Sequence, residues 1–254
     1  SPLTPNKVPL SDRNIEPEKN VDFNFFKKEG FSFVLKIKKQ GWDYFCKLKK
    51  AIYVDLVREF YLNLAYFNGT VKSIIKGTEI TLDPVHLGEI LRLSCKDYKK
   101  MELTHNKEGL RAILGREFEE NLNKLEDKIL SIEMRVLHTM VIKLFILRSG
   151  RHDLLSSRNI CIMFHVITET PFNLPILMIE MMRETLNRSK AHLPYGMALS
   201  LVFRRFGVSF EGEPVARLSQ TNTINHHTLH RIGFSKIDGG WSKGAEDVER
   251  AEEE

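Results

Sequence analysis

At 254 residues, 42% hydrophobic and 28% charged, the chain has the composition of a folded globular protein, which excludes a disordered tail and a fibrous repeat. Its longest apolar runs, such as 174–179, fall far short of the ~18 residues of a membrane span. The net charge is +5, yet the segment 244–254 holds six acidic residues against Arg250 and leaves a body of net +10. Such an excess attracts nucleic acid or acidic partners, although a mixed-charge solvated surface accounts for most of it. The three cysteines, Cys46, Cys95 and Cys161, are widely spaced with no C-x-x-C pair, so a disulfide framework is disfavoured and a reducing compartment fits. With no signal-peptide pattern visible at the start, the expected location is intracellular, the nucleus included.

The first segment, 1–22, carries Pro2, Pro5, Pro9 and Pro17 among polar residues and reads as an extended arm. The body is expected over 23–243, with 244–254 as an acidic tail. Residues 31–40 read as a short helix ended by Gly41 in a left-handed cap. Trp42, Tyr44 and Phe45 follow at once and should anchor that corner in the core. A second helix is predicted over 50–67. Val54, Val57, Tyr61 and Leu64 recur at helical spacing, and Ile52, Leu56, Phe60 and Leu62 make its other faces apolar. Trp42 is expected to lie buried beside this helix, next to Phe60 and Tyr61.

Asn68-Gly69 closes the second helix on this reading. Residues 71–75 and 78–82, rich in β-branched side chains and separated by Lys76-Gly77, predict a hairpin. Asp83-Pro84 then opens a helix, with Asp as N-cap and Pro in the first turn. Farther on, 132–148 is helical with Met134, Leu137, Val141, Leu144 and Phe145 on one side, while Arg135, Thr139 and Lys143 keep i, i+4 spacing on another. Ser156 or Ser157 caps the next helix, Asn173 starts one over 174–189, and Leu193-Pro194 precedes one over 195–206 that Gly207 stops. Glu184 and Arg188 form an i, i+4 pair. The stretch 208–244 reads as irregular apart from a short helix at 225–232. The fold expected is mainly α: a single compact helical domain with one small β-hairpin after the second helix.

The sequence contains no G-x-x-x-x-G-K-[ST], G-x-G-x-x-G, G-x-S-x-G or H-E-x-x-H, and Asp238-Gly239-Gly240 lacks the hydroxyl residue of an aspartic protease. No catalytic residue, cofactor or metal site is assigned. His226 and His230 share a helix face, but two ligands do not make a closed zinc site. Lys36, Lys38, Lys39, Lys47, Lys49 and Lys50 bracket Trp42, Tyr44 and Phe45, a mixture that a single-strand nucleic-acid platform would use. The simpler reading has the rings inward and the lysines solvated. Met178, Met181 and Met182 read as core filling.

Several segments together resemble a known family. They are Gly41-Trp42-Asp43-Tyr44-Phe45, the run from Leu56 to Leu64, Leu82-Asp83-Pro84 with Ile90-Leu91-Arg92-Leu93, and Leu193-Pro194-Tyr195-Gly196-Met197. Val202-Phe203-Arg204-Arg205-Phe206-Gly207-Val208 and the run from Thr228 to Phe234 complete the set. In this order they are similar to the family called the "putative plant transposon protein domain", over roughly 25–234. The hairpin-then-helix unit also resembles the plant mobile domain. The resemblance implies a protein encoded by, or captured from, a plant mobile element, and it carries over no catalytic residues. The function expected is a non-enzymatic interaction module that binds a protein or, weakly and non-specifically, nucleic acid, with no membrane partner. The alternatives are a gag-like assembly protein of a retroelement and, ranked below it, a transposase or nuclease.

Overall fold

The computed structural model describes residues 8–95, 106–116, 125–147, 152–188, 190–216 and 222–243. The acidic tail 244–254 lies outside the described residues. After a 3-10 turn at Leu10–Asp12, the extended strap along the body carries Ile15, bridged in parallel to Leu193, and β1 (Asn20–Val21). Asp22 caps α1 (Phe23–Lys28) by accepting from the backbone N–H of Phe25 at 3.0 Å. Helix α2 (Phe33–Lys39) ends where Gly41 takes a φ of +75°, and α3 (Asp43–Cys46) follows directly.

The helix predicted over 50–67 is shorter at both ends. Strand β2 (Ile52–Tyr53) precedes α4 (Val54–Leu62), and β3 (Ala65–Phe67) follows it. Asn68-Gly69 is thus a hairpin turn rather than a helix stop. It joins β3 to β4 (Thr70–Ile75), and Lys76-Gly77 joins β4 to β5 (Thr78–Leu82), making an antiparallel meander. Both residues of each turn have positive φ, the primed turn whose twist matches the strands it connects. Ser73 on the inner face donates to the Phe60 carbonyl at 2.9 Å and ties the meander to α4.

The predicted caps are present. Asp83 caps α5 (Pro84–Leu91), Ser156 caps α8 (Ser157–Ile167), and Asn173 caps α9 (Leu174–Asn187). Between them lie α6 (Asn106–Leu114) and α7 (Ile132–Met140). The latter runs on as a π-helical turn, Val141–Ile146, to Leu147 with a φ of +48°. Next comes α10 (Gly196–Arg205), then β6 (Val215–Ala216), β7 (Thr223–Ile224) and α11 (His226–Arg231). The described residues end in a hairpin of β8 (Phe234–Ile237) and β9 (Gly240–Lys243).

The expectation of a mainly α, all-helical domain with one hairpin is therefore corrected. Among the described residues nine strands form four sheets, so the fold is mixed α/β. The reason is physical. Strands β1 and β7, and β2 and β6, are two-residue pairs joined across most of the chain, too short for period-2 patterning to show. The terminal hairpin does carry a local signal, Asp238-Gly239, both at positive φ. Gly240 in the second strand weakens its β-propensity.

Trp42, Phe45, Phe60 and Tyr61 are all buried. The rings against Trp42 are Phe145 at 5.0 Å and Phe172 at 6.0 Å, whereas Phe60 meets Tyr61 and Phe203. The ring partners of Trp42 are thus Phe145 of the π-helical turn and Phe172, rather than the expected Phe60 and Tyr61 of α4. Met178, Met181 and Met182 are core.

Candidate functional site

The candidate site is a cleft of about 280 Å³ walled by four stretches of chain. From α7 and its π-helical continuation come Arg135, Thr139 and Lys143, the i, i+4 series. The strap supplies Lys19, the loop before α8 supplies His152 and Asp153, and α11 supplies Thr228 and Arg231. Asp127 closes the rim, its backbone N–H donating to the Asp153 carbonyl at 2.7 Å.

Local structure positions each group. Ser131 caps α7 by accepting from Met134 N–H, which sets Arg135 one turn in. Glu133 accepts from the Ser32 hydroxyl at 2.7 Å and the Phe33 N–H at 2.6 Å, locking α2 to α7. At the base of α11, Asn225 and Thr228 form a reciprocal capping box, which orients Arg231 one turn later. Lys19 is held by what flanks it. Glu18, buried, accepts from the Met197 N–H at 2.5 Å at the start of α10. On its other side β1 pairs with β7.

Four cations, Lys19, Arg135, Lys143 and Arg231, line the cleft against the carboxylates Asp127 and Asp153. Arg135 reaches Asp127 at 3.4 Å and lays its guanidinium over Phe234 at 5.5 Å, yet its Nε is buried with no hydrogen-bond partner. Burial, then the like charges of Arg231 and Lys143, hold the Lys19 ammonium below the usual lysine range. Lys143 is also pulled down by burial. Glu16 at 3.9 Å opposes this, and Arg231 adds to it. Lys143 Nζ stands 3.1 Å from His152 Nε2. Like charges crowded in a half-buried space are costly, and an anion bound there relieves that cost.

Half of the lysines read as a strip are engaged elsewhere. Lys36 donates to the Ile167 carbonyl at the C-terminus of α8 (2.8 Å), Lys39 pairs with Glu169 (2.6 Å), and Lys47 lies near Asp43 and the Phe23 ring. Lys38, Lys49 and Lys50 are exposed. None of the six lines the cleft. His226 packs on Phe25 and His230 on Trp241. No group of three or more His, Cys, Asp or Glu able to hold a metal occurs among the described residues. Burial raises the Cys46, Cys95 and Cys161 thiols, the last to about 11.

Residues 38–209 match the family model described as "Putative plant retrotransposon-related domain". The chain belongs to this family. No curated protein and no solved structure matches it. The retrotransposon-related match contains Asp127, Arg135, Thr139, Lys143, His152 and Asp153, whereas Lys19 and Arg231 lie outside it. Inside it, the segment 193–197 is structural. The Tyr61 hydroxyl donates to the Pro194 carbonyl (3.0 Å), and that of Tyr195 donates to the Phe145 carbonyl (2.5 Å). A Cβ on Gly196 would sit 2.8 Å from Ile52 Cγ2 and 3.3 Å from Glu18 Oε2. Of the cleft residues, Arg135, Thr139 and Lys143 stood out by their spacing, and Thr228 and Arg231 lay in a segment that carries the family resemblance. Lys19 carried no local signal, because its role arises from the strap and α11 meeting across the body.

Proposed function

We propose that this retrotransposon-related domain is a non-enzymatic, intracellular interaction module that binds nucleic acid weakly and without sequence preference, using the cleft. The observation that carries the reading is the gathering of four cations against two carboxylates on one concave surface. Phosphate contacts of this kind supply affinity without sequence information. The raised thiols of buried Cys46 and half-buried Cys95 and Cys161 support the non-enzymatic part, since a protonated thiol is a poor nucleophile. No helix among the described residues is long and apolar enough to cross a membrane.

The test is fluorescence anisotropy with a mixed-sequence single-stranded oligonucleotide at two salt concentrations, with Mg²⁺ or Mn²⁺ present in a parallel cleavage assay. Affinity should fall steeply with salt, and the oligonucleotide should stay intact. Undetectable binding at low salt removes the nucleic-acid reading, and metal-dependent cleavage removes the non-enzymatic one. A gag-like assembly role draws support from β3, an edge strand whose Phe67 is 74% exposed. Light scattering that shows a monomer at high concentration counts against it.

A further inference from the structure

The strap meets the body with its polar side inward. Arg13, Glu16, Glu18 and Asn20 are buried, whereas Asn14 and Pro17 face solvent. Apolar burial adds little before β1, because Ile15 is only half-buried. Arg13 donates to the Thr185 carbonyl at 2.8 Å, and Glu16 faces His192 at 2.8 Å and Lys143 at 3.9 Å. The backbone adds two bonds, from Glu16 N–H to the Leu193 carbonyl (2.9 Å) and from Leu193 N–H to the Asn14 carbonyl (2.8 Å). Contacts of this kind exchange for bonds to water when the segment lifts, so a local opening costs less than unfolding the core.

Glu18 is the exception among the strap's buried groups. Glu16 has two cationic neighbours, but no cation among the described residues stands within ion-pair distance of Glu18. Two tyrosines face its carboxyl, Tyr61 from α4 and Tyr195 from the residue before α10. Both hydroxyls are committed elsewhere, to the Pro194 and Phe145 carbonyls. Arg158 and Glu184 lie on the far side of Tyr195. Only α10 offers donors, the N–H groups of Met197 and Ala198, and burial outweighs them. A carboxylate is therefore costly at this position, and its proton keeps the contact neutral.

We propose that the strap is a proton-operated latch: it stays seated while Glu18 carries its proton, and loss of that proton lets residues 13–19 lift from α10 on a hinge at β1. Strand β1 is the hinge because Val21 is buried and the Asp22 N–H is bonded to the Ile224 carbonyl at 3.1 Å. Lifting takes Lys19 off the cleft wall and Glu16 away from Lys143 and His192, so the cleft changes with the latch. The latch operates whether or not the cleft binds nucleic acid. Its sign follows from linkage. The seated state holds the proton more tightly than the lifted one, so seating is favoured at low pH and weakens as pH rises towards about 8.

Hydrogen exchange on the full chain, wild type and Glu18→Gln, at pH 6, 7 and 8 reads the opening residue by residue. Gln keeps an acceptor for the Met197 N–H and does not titrate, so the variant corrects for the pH dependence of exchange itself. The wild-type Glu16, Leu193 and Met197 amides should lose protection relative to the variant by about tenfold per pH unit. Amides of the β4–β5 ladder should keep theirs.

Loss of protection that is equal in the strap and the ladder overturns the latch, because Glu18 then loosens the whole fold. A wild-type to variant ratio that is flat in pH overturns it as well. A second measurement needs no variant. Arg13 is buried when the strap is seated, so trypsin cleavage after it reports lifting. Relative to a free peptide of residues 8–20, that cleavage should accelerate between pH 6 and pH 8, and a constant ratio counts against the latch.

Discussion

Replacing Glu18 by Gln tests how the strap that delivers Lys19 is held. Glu18 is 4% exposed, accepts from the Met197 N–H at the start of α10, and has the Tyr61 and Tyr195 hydroxyls nearby. Burial raises its carboxyl to about 8, against the lowering effect of the Met197 and Ala198 N–H groups. The sign follows from linkage. The folded state holds the proton more tightly than the unfolded chain, so the stability contributed by protonated Glu18 is fully present below about 4.5 and is lost as pH rises through about 8. At about 1.4 kcal/mol per pH unit, the loss across that window is on the order of 5 kcal/mol, a large part of the 5–15 kcal/mol typical of a domain. Gln keeps an acceptor for the Met197 N–H but does not titrate. Urea unfolding of both proteins from pH 5 to pH 8 should show the wild type losing stability relative to Glu18→Gln as pH rises. A difference curve that is flat over this range refutes the reasoning.

Trp42→Ala removes a fully buried indole held between Phe145 and Phe172 and should cost on the order of 3–5 kcal/mol. An unmoved melting temperature would contradict it. Neutralising Lys47, Lys49 and Lys50 together should leave the salt dependence of nucleic-acid binding nearly unchanged, because they lie away from the cleft. Neutralising Lys19 and Arg231 should flatten the slope by about two, one per phosphate contact, and an anisotropy titration in which the two sets behave alike would contradict both statements. Gly196→Ala places a Cβ 2.8 Å from Ile52 Cγ2 and should destabilise by about 1–3 kcal/mol, the usual overpacking cost. Chemical denaturation showing a neutral or stabilising effect would mean that Ile52 moves aside freely.

What the sequence determined by itself lies within one turn of helix or one tight turn of strand. Asp83, Ser156 and Asn173 cap their helices because a side-chain oxygen reaches an N–H two or three residues on. Lys76-Gly77 makes its hairpin because only a primed turn suits the strand twist. Arg135, Thr139 and Lys143 share a wall because successive helical turns stack. The tertiary structure alone decided the rest. Asn20 pairs with Thr223 and Ile52 with Ala216, and nothing local distinguishes these two-residue segments from loop. Trp42 met Phe145 rather than Phe60 because apolar burial is non-directional, and the packing of whole helices chooses the partner. The cleft exists only where the strap and α11 close on α7, joining residues more than 200 positions apart. Such contacts form only once the intervening chain has folded, and their cost in loop closure is met by the core as a whole, not by the residues that touch.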